Sequence, residues 1–326
     1  MKRLLITGGA GFIGSNFIRY MLNKYDDLRI TNLDKLTYCG NLENLKDCSA
    51  DKRYKFVKGD ICDAKLVNRL VKTSDAVVAF AAETHVDRSI KDPSGFIRTN
   101  IFGTYTLLEA AKRFGAGLFI QVSTDECYGS ILEGSFKEED ALRPNSPYSA
   151  TKAGADLLAR SYFVTYKLPV IITRSSNNFG PYQYPEKVIP LFITNILKNK
   201  KVPLYADGMN VRDWLFVSDN CEAIDVVIHK GKAGEVYNIG AGSETSNMEL
   251  TRAILNLLGK GVELIEFVQD RPGHDKRYAL NIAKINSLGW RPRHDFRSAL
   301  ELTIDWYRKN ERWWKRLIKC RKDIRY

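Results

Sequence analysis

Short, almost wholly apolar runs alternate with longer segments of helical periodicity through the first half of the chain. The apolar runs have the near-continuous hydrophobic character of strands that are buried on both faces of a sheet. Strand–helix alternation of this kind predicts an α/β fold built on a doubly wound parallel sheet. The predicted strands are Arg3–Thr7, Arg29–Leu33, Tyr54–Val57, Ala76–Phe80 and Leu118–Val122, with helices between them at about 12–24, 63–72 and 93–114.

The pattern changes after a long predicted helix over Pro147–Tyr166 and a strand over Pro169–Thr173. A polar segment rich in glycine and proline follows at 177–185, and the elements beyond it are shorter and mixed. We therefore predict two domains, with the parallel sheet in residues 1–175 and a smaller mixed α/β domain in residues 176–326.

The composition is that of an ordinary globular protein and excludes a disordered or fibrous chain. Of the 326 residues, 44% are hydrophobic and 27% are charged, and the net charge is +12. An excess of positive charge suits an anionic small molecule, a nucleic acid or an acidic membrane surface equally well.

The last segment, 311–326, carries seven lysines or arginines and two acidic residues. Its apolar positions, Trp313, Trp314, Leu317 and Ile318, share one face of a predicted helix. We expect this face to pack on the body of the protein, although a basic amphipathic helix can also lie on an anionic membrane.

Cysteine usage and the amino-terminal sequence both indicate a cytoplasmic protein. None of the six cysteines lies at C-x-x-C spacing from another, and the four histidines form no metal-like cluster with them. Such cysteines are typical of reduced thiols, and no metal site is expected. Lys2 and Arg3 are followed by only three apolar residues before Thr7, which is too short a run for a secretory signal.

A glycine-rich segment, Thr7–Gly14, joins the first strand to the first helix. Gly8 allows a tight turn, Gly11 allows the backbone to approach a pyrophosphate, and Gly14 lets the helix lie close to the sheet. The pyrophosphate would then meet the amide groups at the amino end of the helix. Asp34 ends the second strand, twenty residues after Gly14. A carboxylate there accepts hydrogen bonds from ribose hydroxyls and repels a 2′-phosphate, which predicts NAD rather than NADP.

Tyr148 and Lys152 are four residues apart near the start of the long helix, which places both on one helix face. A nearby ammonium favours the phenolate form and would let Tyr148 act as a base near neutral pH. A Tyr-x-x-x-Lys pair by itself is common on helix surfaces. Its position after a dinucleotide-binding pattern, with Ser123 and Thr124 ending the fifth strand, makes it a candidate catalytic pair.

The glycine-rich turn, the Ser-Thr pair and the Tyr-x-x-x-Lys pair together resemble the extended short-chain dehydrogenases/reductases that act on nucleotide sugars. Longer motifs throughout the chain resemble one branch of that family, the dTDP-glucose 4,6-dehydratases. The resemblance implies a Rossmann-like fold, bound NAD and a homodimer paired through the two longest helices. The motifs are DKLTYCGN at 34–41, AAETHVDRSI at 81–90, STDECYG at 123–129, SNNFGPYQYPEK at 176–187, NVRDWL at 210–215 and DRPGHD at 270–275.

The adjacent acids Asp125 and Glu126 distinguish this branch from its neighbours. In the resembling family the first position is a general acid and the second is a general base. A simple epimerase has no use for two carboxylates beside the sugar, whereas a dehydratase must remove a proton and expel water. GDP-mannose dehydratases and UDP-glucuronate decarboxylases usually carry Ser before the Glu, so Asp125 favours the dTDP-glucose type.

The resemblance implies a mechanism of oxidation, elimination and reduction. Tyr148 would take the proton of the C4 hydroxyl while Thr124 hydrogen-bonds that oxygen, and hydride would pass from C4 to NAD. Glu126 would remove the C5 proton, Asp125 would protonate the departing C6 hydroxyl, and the hydride would return to C6. The product would be a nucleotide-linked 4-keto-6-deoxyglucose, with NAD regenerated in each cycle.

The resemblance also implies two sets of binding residues, in addition to the catalytic Thr124, Asp125, Glu126, Tyr148 and Lys152. In the substrate set, the paired donors of two arginine side chains suit the oxygens of a pyrophosphate. The cofactor set is Gly8, Gly11, Phe12, Ile13, Gly14, Asp34, Lys35, Leu36, Thr37, Asp60, Ile61, Ala81, Ala82, Thr99, Tyr148, Lys152 and Asn178. The substrate set is Thr84, His85, Thr124, Asn177, Lys187, Val188, Pro203, Leu204, Tyr205, Arg212, Asn247, Arg271 and His274.

Three positions depart from the family pattern. Cys39 stands where Ala is usual, Cys127 where Val is usual, and Ala206 where Gly is common. A shift of the loop over the nucleotide base, caused by Ala206, would alter the choice between dTDP and UDP, which the sequence leaves open.

The alternative functions are those of a UDP-glucose 4,6-dehydratase, a UDP-glucose 4-epimerase and, more distantly, a non-catalytic NAD- or RNA-binding protein. The presence of Thr124, Tyr148 and Lys152 disfavours the non-catalytic alternative. We therefore expect a nucleoside diphosphate sugar as the substrate, and neither a nucleic acid nor a membrane as a partner.

Overall fold

The computed structural model describes residues 1–320, which contain three sheets of seven, three and two strands. Seven parallel strands form a central sheet in the order β10-β6-β5-β4-β1-β2-β3, which confirms the predicted doubly wound sheet. The strands are β1 (Arg3–Thr7), β2 (Arg29–Asp34), β3 (Tyr54–Lys58), β4 (Ala76–Ala79), β5 (Leu118–Thr124), β6 (Val170–Ser175), β7 (Asn177–Phe179), β8 (Val202–Tyr205), β9 (Val211–Phe216), β10 (Val236–Ile239), β11 (Glu244–Ser246) and β12 (Ile265–Val268).

Helices cover both faces of the central sheet because successive strand residues point to opposite faces. The helices are α1 (Phe12–Lys24), α2 (Ala64–Val71), α3 (Val86–Lys91), α4 (Ser94–Phe96), α5 (Thr104–Phe114), α6 (Pro147–Tyr166), α7 (Val188–Ile196), α8 (Val217–Lys230), α9 (Asn247–Leu257), α10 (Ala283–Ser287), α11 (Phe296–Lys309) and α12 (Glu311–Cys320). Leu4 and Ile6 of β1 pack towards α1 and α8, whereas Leu5 packs towards α2, α5 and α6.

The predicted single helix over 93–114 is wrong in its middle. A π-helical segment, Ile97–Gly103, separates α4 from α5. Within it Asn100 is buried, and its side chain accepts a hydrogen bond from the backbone N of Glu83 (2.9 Å) and donates to Thr151 Oγ1 (2.9 Å). Hydrophobic periodicity does not encode a tertiary hydrogen bond of this kind, and π-helical turns are frequent near functional sites.

The last strand of the central sheet comes from the second half of the chain. β10 pairs with β6, with Tyr237 beside Thr173. The helix α8 is joined to α1 through the buried Asp225, which accepts hydrogen bonds from Lys24 Nζ (2.6 Å) and Tyr25 OH (3.0 Å). Residue 175 is therefore not a boundary of the sheet, and the division into residues 1–175 and 176–326 stays a prediction.

The second half also builds smaller sheets and a core of its own. One sheet has the order β11-β9-β7, and β8 pairs with β12. Apolar side chains of α7, α9 and α11 pack around these strands, and Trp314 of α12 is fully buried among them. The prediction that the final helix packs on the body of the protein is confirmed for residues 311–320, whereas 321–326 lie outside the described residues.

The described cysteines Cys39, Cys48, Cys62, Cys127 and Cys221 are free thiols, as predicted. The side chain of Cys320 lies outside the described part of the structure. Among residues 1–320, no helix combines the length and the apolar character that a membrane span requires.

Candidate active site

A cleft opens where the strands of the central sheet end. Because parallel strands all finish at the same edge, the segments that follow β1 to β6 line this cleft together. Of the predicted cofactor residues, all but Leu36 line it, and so do all the predicted catalytic residues. The predicted substrate residues are divided, since Thr84, Thr124, Asn177 and Lys187 line the cleft and the others lie beyond its wall.

The glycine-rich turn has the geometry that the sequence predicts. Gly8 has a φ of +73°, and a Cβ atom there would lie 2.6 Å from the backbone N of Ala81. A Cβ atom on Gly14 would lie 2.5 Å from the carbonyl oxygen of Gly8. Only glycine therefore allows the turn, the neighbouring strand and the helix to approach this closely.

The amino end of α1 is suited to an anion. Gly11 is the residue that precedes α1 and has no side chain that could cap it, so the first amide groups of the helix are left for a ligand. Asp34 lies beside this turn and accepts hydrogen bonds from the backbone N of Ala10 (2.9 Å) and of Leu36 (2.8 Å). Burial raises the pKa of Asp34, while these two amides oppose the shift.

Two further predicted cofactor residues form an ion pair at the outer end of the cleft, where Lys35 Nζ lies 2.8 Å from Asp60 Oδ2. Leu36, which does not line the cleft, has a φ of +57° and shapes the loop after β2. At the opposite end, the side-chain oxygens of Asn177 and Asn178 are buried and have no hydrogen-bond partner within residues 1–320. Together these features fit a dinucleotide, because they offer a phosphate cradle, a ribose-binding carboxylate and unpaired polar groups in one cleft.

Thr124 ends β5, and Asp125 and Glu126 follow it in a short 3-10 helix, Asp125–Cys127. Thr124 Oγ1 donates to Asp125 Oδ1 (3.2 Å) and accepts from the backbone N of Glu126 (3.3 Å). Asp125 is buried, and its Oδ2 has no hydrogen-bond partner within residues 1–320. Glu126 is half-buried beside it.

Burial governs the charge of both acids. It raises the pKa of Asp125 well above its ordinary value, and the adjacent Glu126 adds to this shift. Burial also raises the pKa of Glu126, against the opposing charges of Arg271, Lys187 and Arg212. Burial therefore favours the protonated form of both carboxyl groups, and the neighbouring cations oppose this shift at Glu126.

Tyr148 lies at the start of α6, with its backbone N donating to Ser89 Oγ (3.1 Å). Burial, with Glu126 nearby, raises the pKa of Tyr148 well above its ordinary value, and a side-chain hydrogen bond with Thr124 opposes the rise. The Lys152 ammonium donates to the carbonyl oxygen of Val122 (2.6 Å), and burial lowers its pKa. That Lys152 favours the phenolate form of Tyr148 stays a prediction.

The predicted phosphate-binding arginines lie on the side of the second half that faces Glu126. The guanidinium of Arg212 is buried, donates to the carbonyl oxygen of Asp275 (2.9 Å) and stacks 4.3 Å from the centre of the Tyr278 ring. Arg271 lies 3.8 Å from Asp87, and its Nε has no hydrogen-bond partner within the described chain. Both arginines are close enough to Glu126 to oppose the rise of its pKa.

His274 and Tyr205 lie beside these arginines. The His274 ring meets the Tyr205 ring edge-on at 5.9 Å, and its Nδ1 lies 2.6 Å from Asp270 Oδ1. Burial and the charge of Arg271 lower the pKa of His274. These contacts bring four predicted substrate residues into one cationic and aromatic group.

The remaining predicted substrate residues have mixed settings. Lys187 precedes α7, and its Nζ donates to the carbonyl oxygen of Thr84 (2.9 Å). Leu204 is buried in the core of the second half, so its side chain does not face a ligand. His85 is buried next to α3, Val188 and Asn247 begin α7 and α9, and Pro203 lies on β8.

Two acids in the cleft wall were assigned no role from the sequence, although both lie in motifs that carry the family resemblance. The carboxylate of Glu186 accepts a hydrogen bond from Tyr38 OH (2.8 Å), and its Oε2 lies 3.7 Å from Arg88. Glu83 lines the same wall, and burial raises its pKa. The sequence shows their place in these motifs, but not that their side chains point into the cleft.

Comparisons with known proteins agree with this geometry. Residues 5–303 match the family model described as GDP-mannose 4,6 dehydratase. A dTDP-glucose 4,6-dehydratase of Streptomyces antibioticus is 54% identical over 322 residues, which cover 97% of this chain and 95% of that relative.

Solved structures extend the comparison. The structure of DesIV, a dTDP-glucose 4,6-dehydratase of Streptomyces venezuelae with NAD and TYD bound, has a TM-score of 0.95 and 52% identity, and covers 97% of this chain and 99% of that one. A UDP-glucose 4-epimerase of Thermus thermophilus in complex with NAD is more distant, with a TM-score of 0.88 and 32% identity over 94% of this chain and 99% of that one.

The similarity runs through both halves of the chain and includes the segment that carries Asp125 and Glu126. It confirms the family that the motifs indicate. The protein belongs to the dTDP-glucose 4,6-dehydratases, within the nucleotide-sugar branch of the extended short-chain dehydrogenases/reductases.

Proposed function

We propose that this enzyme catalyses the NAD-dependent 4,6-dehydration of dTDP-glucose to the 4-keto-6-deoxyglucose derivative. One observation carries the proposal: Asp125 and Glu126 lie side by side in the same cleft as Tyr148 and Lys152. An elimination needs one group that removes a proton and another that donates one, and this pair supplies both. The relatives that are about half identical bear the name of this activity.

NAD is the cofactor, and when bound it supplies a two-electron acceptor that is restored within each catalytic cycle. The turn from Gly8 to Gly11 and the amino end of α1 would hold its pyrophosphate, while Asp34 would hold the adenosine ribose. Asn178 would face its other end. The backbone therefore binds the charged centre of the cofactor, and side chains select its two ends.

The sugar C4 oxygen would lie between Thr124 and Tyr148. Thr124 would hydrogen-bond that oxygen, and Tyr148 would take its proton as the C4 carbon is oxidised. The described surroundings favour the neutral phenol. We assign to the Lys152 ammonium, one helical turn away, the stabilisation of the phenolate.

The two acids would then act on neighbouring carbons. A 4-ketone acidifies the C5 proton, which Glu126 would remove. Asp125 would give its proton to the departing C6 hydroxyl, and its raised pKa suits a group that must still hold a proton near neutral pH. The charges of Arg271, Lys187 and Arg212 favour the ionised form of Glu126, as a base requires.

The same cations would bind the nucleoside diphosphate. Arg212 and Arg271 present planar donors that suit phosphate oxygens, and Lys187 stands at the border between the two sites. Each positive charge would therefore both hold the substrate and set the charge of the catalytic base.

We further propose that the enzyme is a homodimer. The π-helical segment and the helices α5 and α6 expose large apolar side chains, including Phe102 (47%), Tyr105 (43%), Leu157 (58%) and Tyr166 (52%). Large apolar side chains exposed on adjacent helices are typical of an interface, and a two-fold axis would pair the same helices of two copies into a four-helix bundle. The free thiols are in keeping with a reducing cytoplasmic compartment.

The substrate is tested by mass spectrometry of the purified protein after separate incubation with dTDP-glucose and UDP-glucose. We expect the mass of dTDP-glucose to fall by one water, and UDP-glucose to react more slowly. Faster loss of water from UDP-glucose would assign the alternative dehydratase. An unchanged mass with conversion to the galactose isomer would identify an epimerase and contradict the roles of Asp125 and Glu126.

Replacing Glu126, the proposed catalytic base, should stop the elimination of water without causing the loss of bound NAD. In Glu126→Gln we expect turnover to fall by roughly 100-fold or more, because general acid–base groups contribute on that scale. NAD retained through gel filtration should match the wild type. Glu133→Gln, which makes the same change of charge at an exposed loop residue, is the control and should keep full activity. Loss of bound NAD in Glu126→Gln would contradict the assigned role.

Removing the buried acid should change the pH dependence of stability. A carboxyl group whose pKa is raised on folding contributes its full stability below its ordinary value of 3.8 and loses it as the pH rises towards the folded pKa. Asparagine cannot ionise. Asp125→Asn should therefore melt at a higher temperature than the wild type near neutral pH, and the difference should shrink towards pH 4. Melting curves from acid to neutral pH measure this, and a difference independent of pH would refute it.

The proposed dimer is tested by placing a charged side chain on the exposed apolar face of α5 and α6. Leu157→Glu should halve the mass measured by sedimentation equilibrium, because an unpaired carboxylate cannot be buried in an apolar interface. Leu302→Glu, at an exposed position of α11 outside that face, should leave the mass unchanged. Equal masses for the wild type and both variants would rule out pairing through α5 and α6.

A further inference from the structure

The carboxy-terminal helix is connected to the glycine-rich turn by a continuous chain of hydrogen bonds. Trp313 Nε1 of α12 donates to Asn44 Oδ1 (2.9 Å), and Asn44 Nδ2 donates to the carbonyl oxygen of Ala10 (2.9 Å). The backbone N of Ala10 in turn donates to Asp34 Oδ2 (2.9 Å). This series of hydrogen bonds therefore links α12 to the glycine-rich turn, which would hold the phosphates of NAD, and to Asp34, which would hold its ribose.

Asn44 is held at every polar atom. It is almost fully buried, and its backbone carbonyl oxygen accepts a hydrogen bond from Arg19 Nη2 (2.6 Å), while its backbone N donates to Asn41 (3.0 Å). A buried side-chain amide that makes both of its hydrogen bonds has one orientation, since a flip would set two acceptors or two donors against each other. Asn44 thus fixes the direction of the Ala10 carbonyl group.

The Ala10 peptide is held from both sides. Its carbonyl oxygen accepts from Asn44 Nδ2 and from the backbone N of Asn41 (3.0 Å), and its N–H is directed to Asp34. Ala10 lies between two glycines, which are the residues least able to keep a backbone direction by themselves. The order of this turn therefore depends on contacts from outside it.

The indole of Trp313 has little freedom to turn away. Its ring lies 5.0 Å from the Trp306 ring and 6.0 Å from the Tyr182 ring, both edge-on. The guanidinium of Arg19 stacks 4.6 Å from the Tyr182 ring and also donates to the carbonyl oxygen of Asn44, which lies in the short 3-10 helix Leu42–Leu45. The indole N–H of Trp313, which is the first donor in this series of hydrogen bonds, is thereby fixed by aromatic packing in the second half of the protein.

We propose that Trp313 and Asn44 are positioning residues for NAD: they hold the glycine-rich turn in its binding conformation from the carboxy-terminal helix. This inference rests on the proposed function in that NAD is the ligand of the turn. A turn that is ordered before binding costs less conformational entropy when the pyrophosphate arrives. Loss of the Trp313 donor leaves a buried acceptor unpaired and lets the Ala10 peptide relax.

The test is a pair of matched substitutions in adjacent residues. Trp313→Phe keeps an aromatic ring and removes the N–H that bonds Asn44. Trp314→Phe removes a similar donor, because Trp314 Nε1 donates to the carbonyl oxygen of Tyr307 (2.8 Å), but within residues 1–320 this hydrogen bond does not lead to the glycine-rich turn. Both variants lose an indole hydrogen bond of α12, which is part-buried for Trp313 and buried for Trp314. Only Trp313→Phe loses the series of hydrogen bonds to Ala10.

We expect Trp313→Phe to weaken NAD binding to the apoprotein by about fivefold to tenfold, as loss of one buried hydrogen bond allows. Titration calorimetry measures this. At saturating NAD its kcat should return to the wild-type value. Amide hydrogen exchange of residues 8–11 in the apoprotein should be faster than in the wild type. Trp314→Phe should lower the melting temperature and leave both the NAD affinity and the exchange of this turn unchanged.

Asn44→Asp provides a second route if Trp313→Phe folds poorly. It places an oxygen against the Ala10 carbonyl oxygen and should weaken NAD binding at least as much as Trp313→Phe. An NAD affinity within about twofold of the wild type in both variants, or an equal loss in Trp314→Phe, would overturn the inference. A wild-type protein that binds no NAD would refute the proposed function as well, so the two failures are distinguishable.

Discussion

The placement of two adjacent acidic side chains, the buried Asp125 and the half-buried Glu126, is the constraint on which the arrangement of this protein depends. Carboxylates are costly to remove from water unless cations and hydrogen bonds compensate them. Asp125 and Glu126 directly follow β5, whereas the opposing charges of Arg212, Arg271 and Lys187 come from the second half of the chain. The two halves are therefore electrostatically complementary, and the acids are compensated only when the second half covers the edge of the sheet.

Cations and hydrogen bonds offset only part of the cost of burying these acids. The part that is not offset shifts their proton affinities and makes the site reactive. Asp125 Oδ2 has no hydrogen-bond partner within residues 1–320, and burial raises the pKa of both Asp125 and Tyr148. Groups whose proton affinity is shifted by burial are those that exchange protons with a substrate placed between them. Placing these groups in a buried site lowers the stability of the fold, which is typical of active sites.

Features that depend on residues close together in the sequence were predictable from the sequence alone. The first six strands, the Gly8 turn and the pairing of Asp125 with Glu126 all follow from short segments with a clear period or motif. The edge strand β10, the π-helical segment around Asn100 and the bond from Trp313 to Asn44 join residues that are far apart in the chain. Periodicity carries no information about such contacts, and a pKa such as that of Tyr148 depends on burial that only the folded chain supplies.

Ala206, where glycine is common in the family, has a φ of +48°. This value lies in the left-handed region, where a residue other than glycine is strained by roughly 1 kcal/mol. Two backbone hydrogen bonds hold the loop around it, from Ala206 N to Val268 O (2.9 Å) and from Gly208 N to Tyr205 O (3.0 Å). Alanine therefore occupies a conformation that glycine favours, and these hydrogen bonds offset the strain in the backbone beside Tyr205.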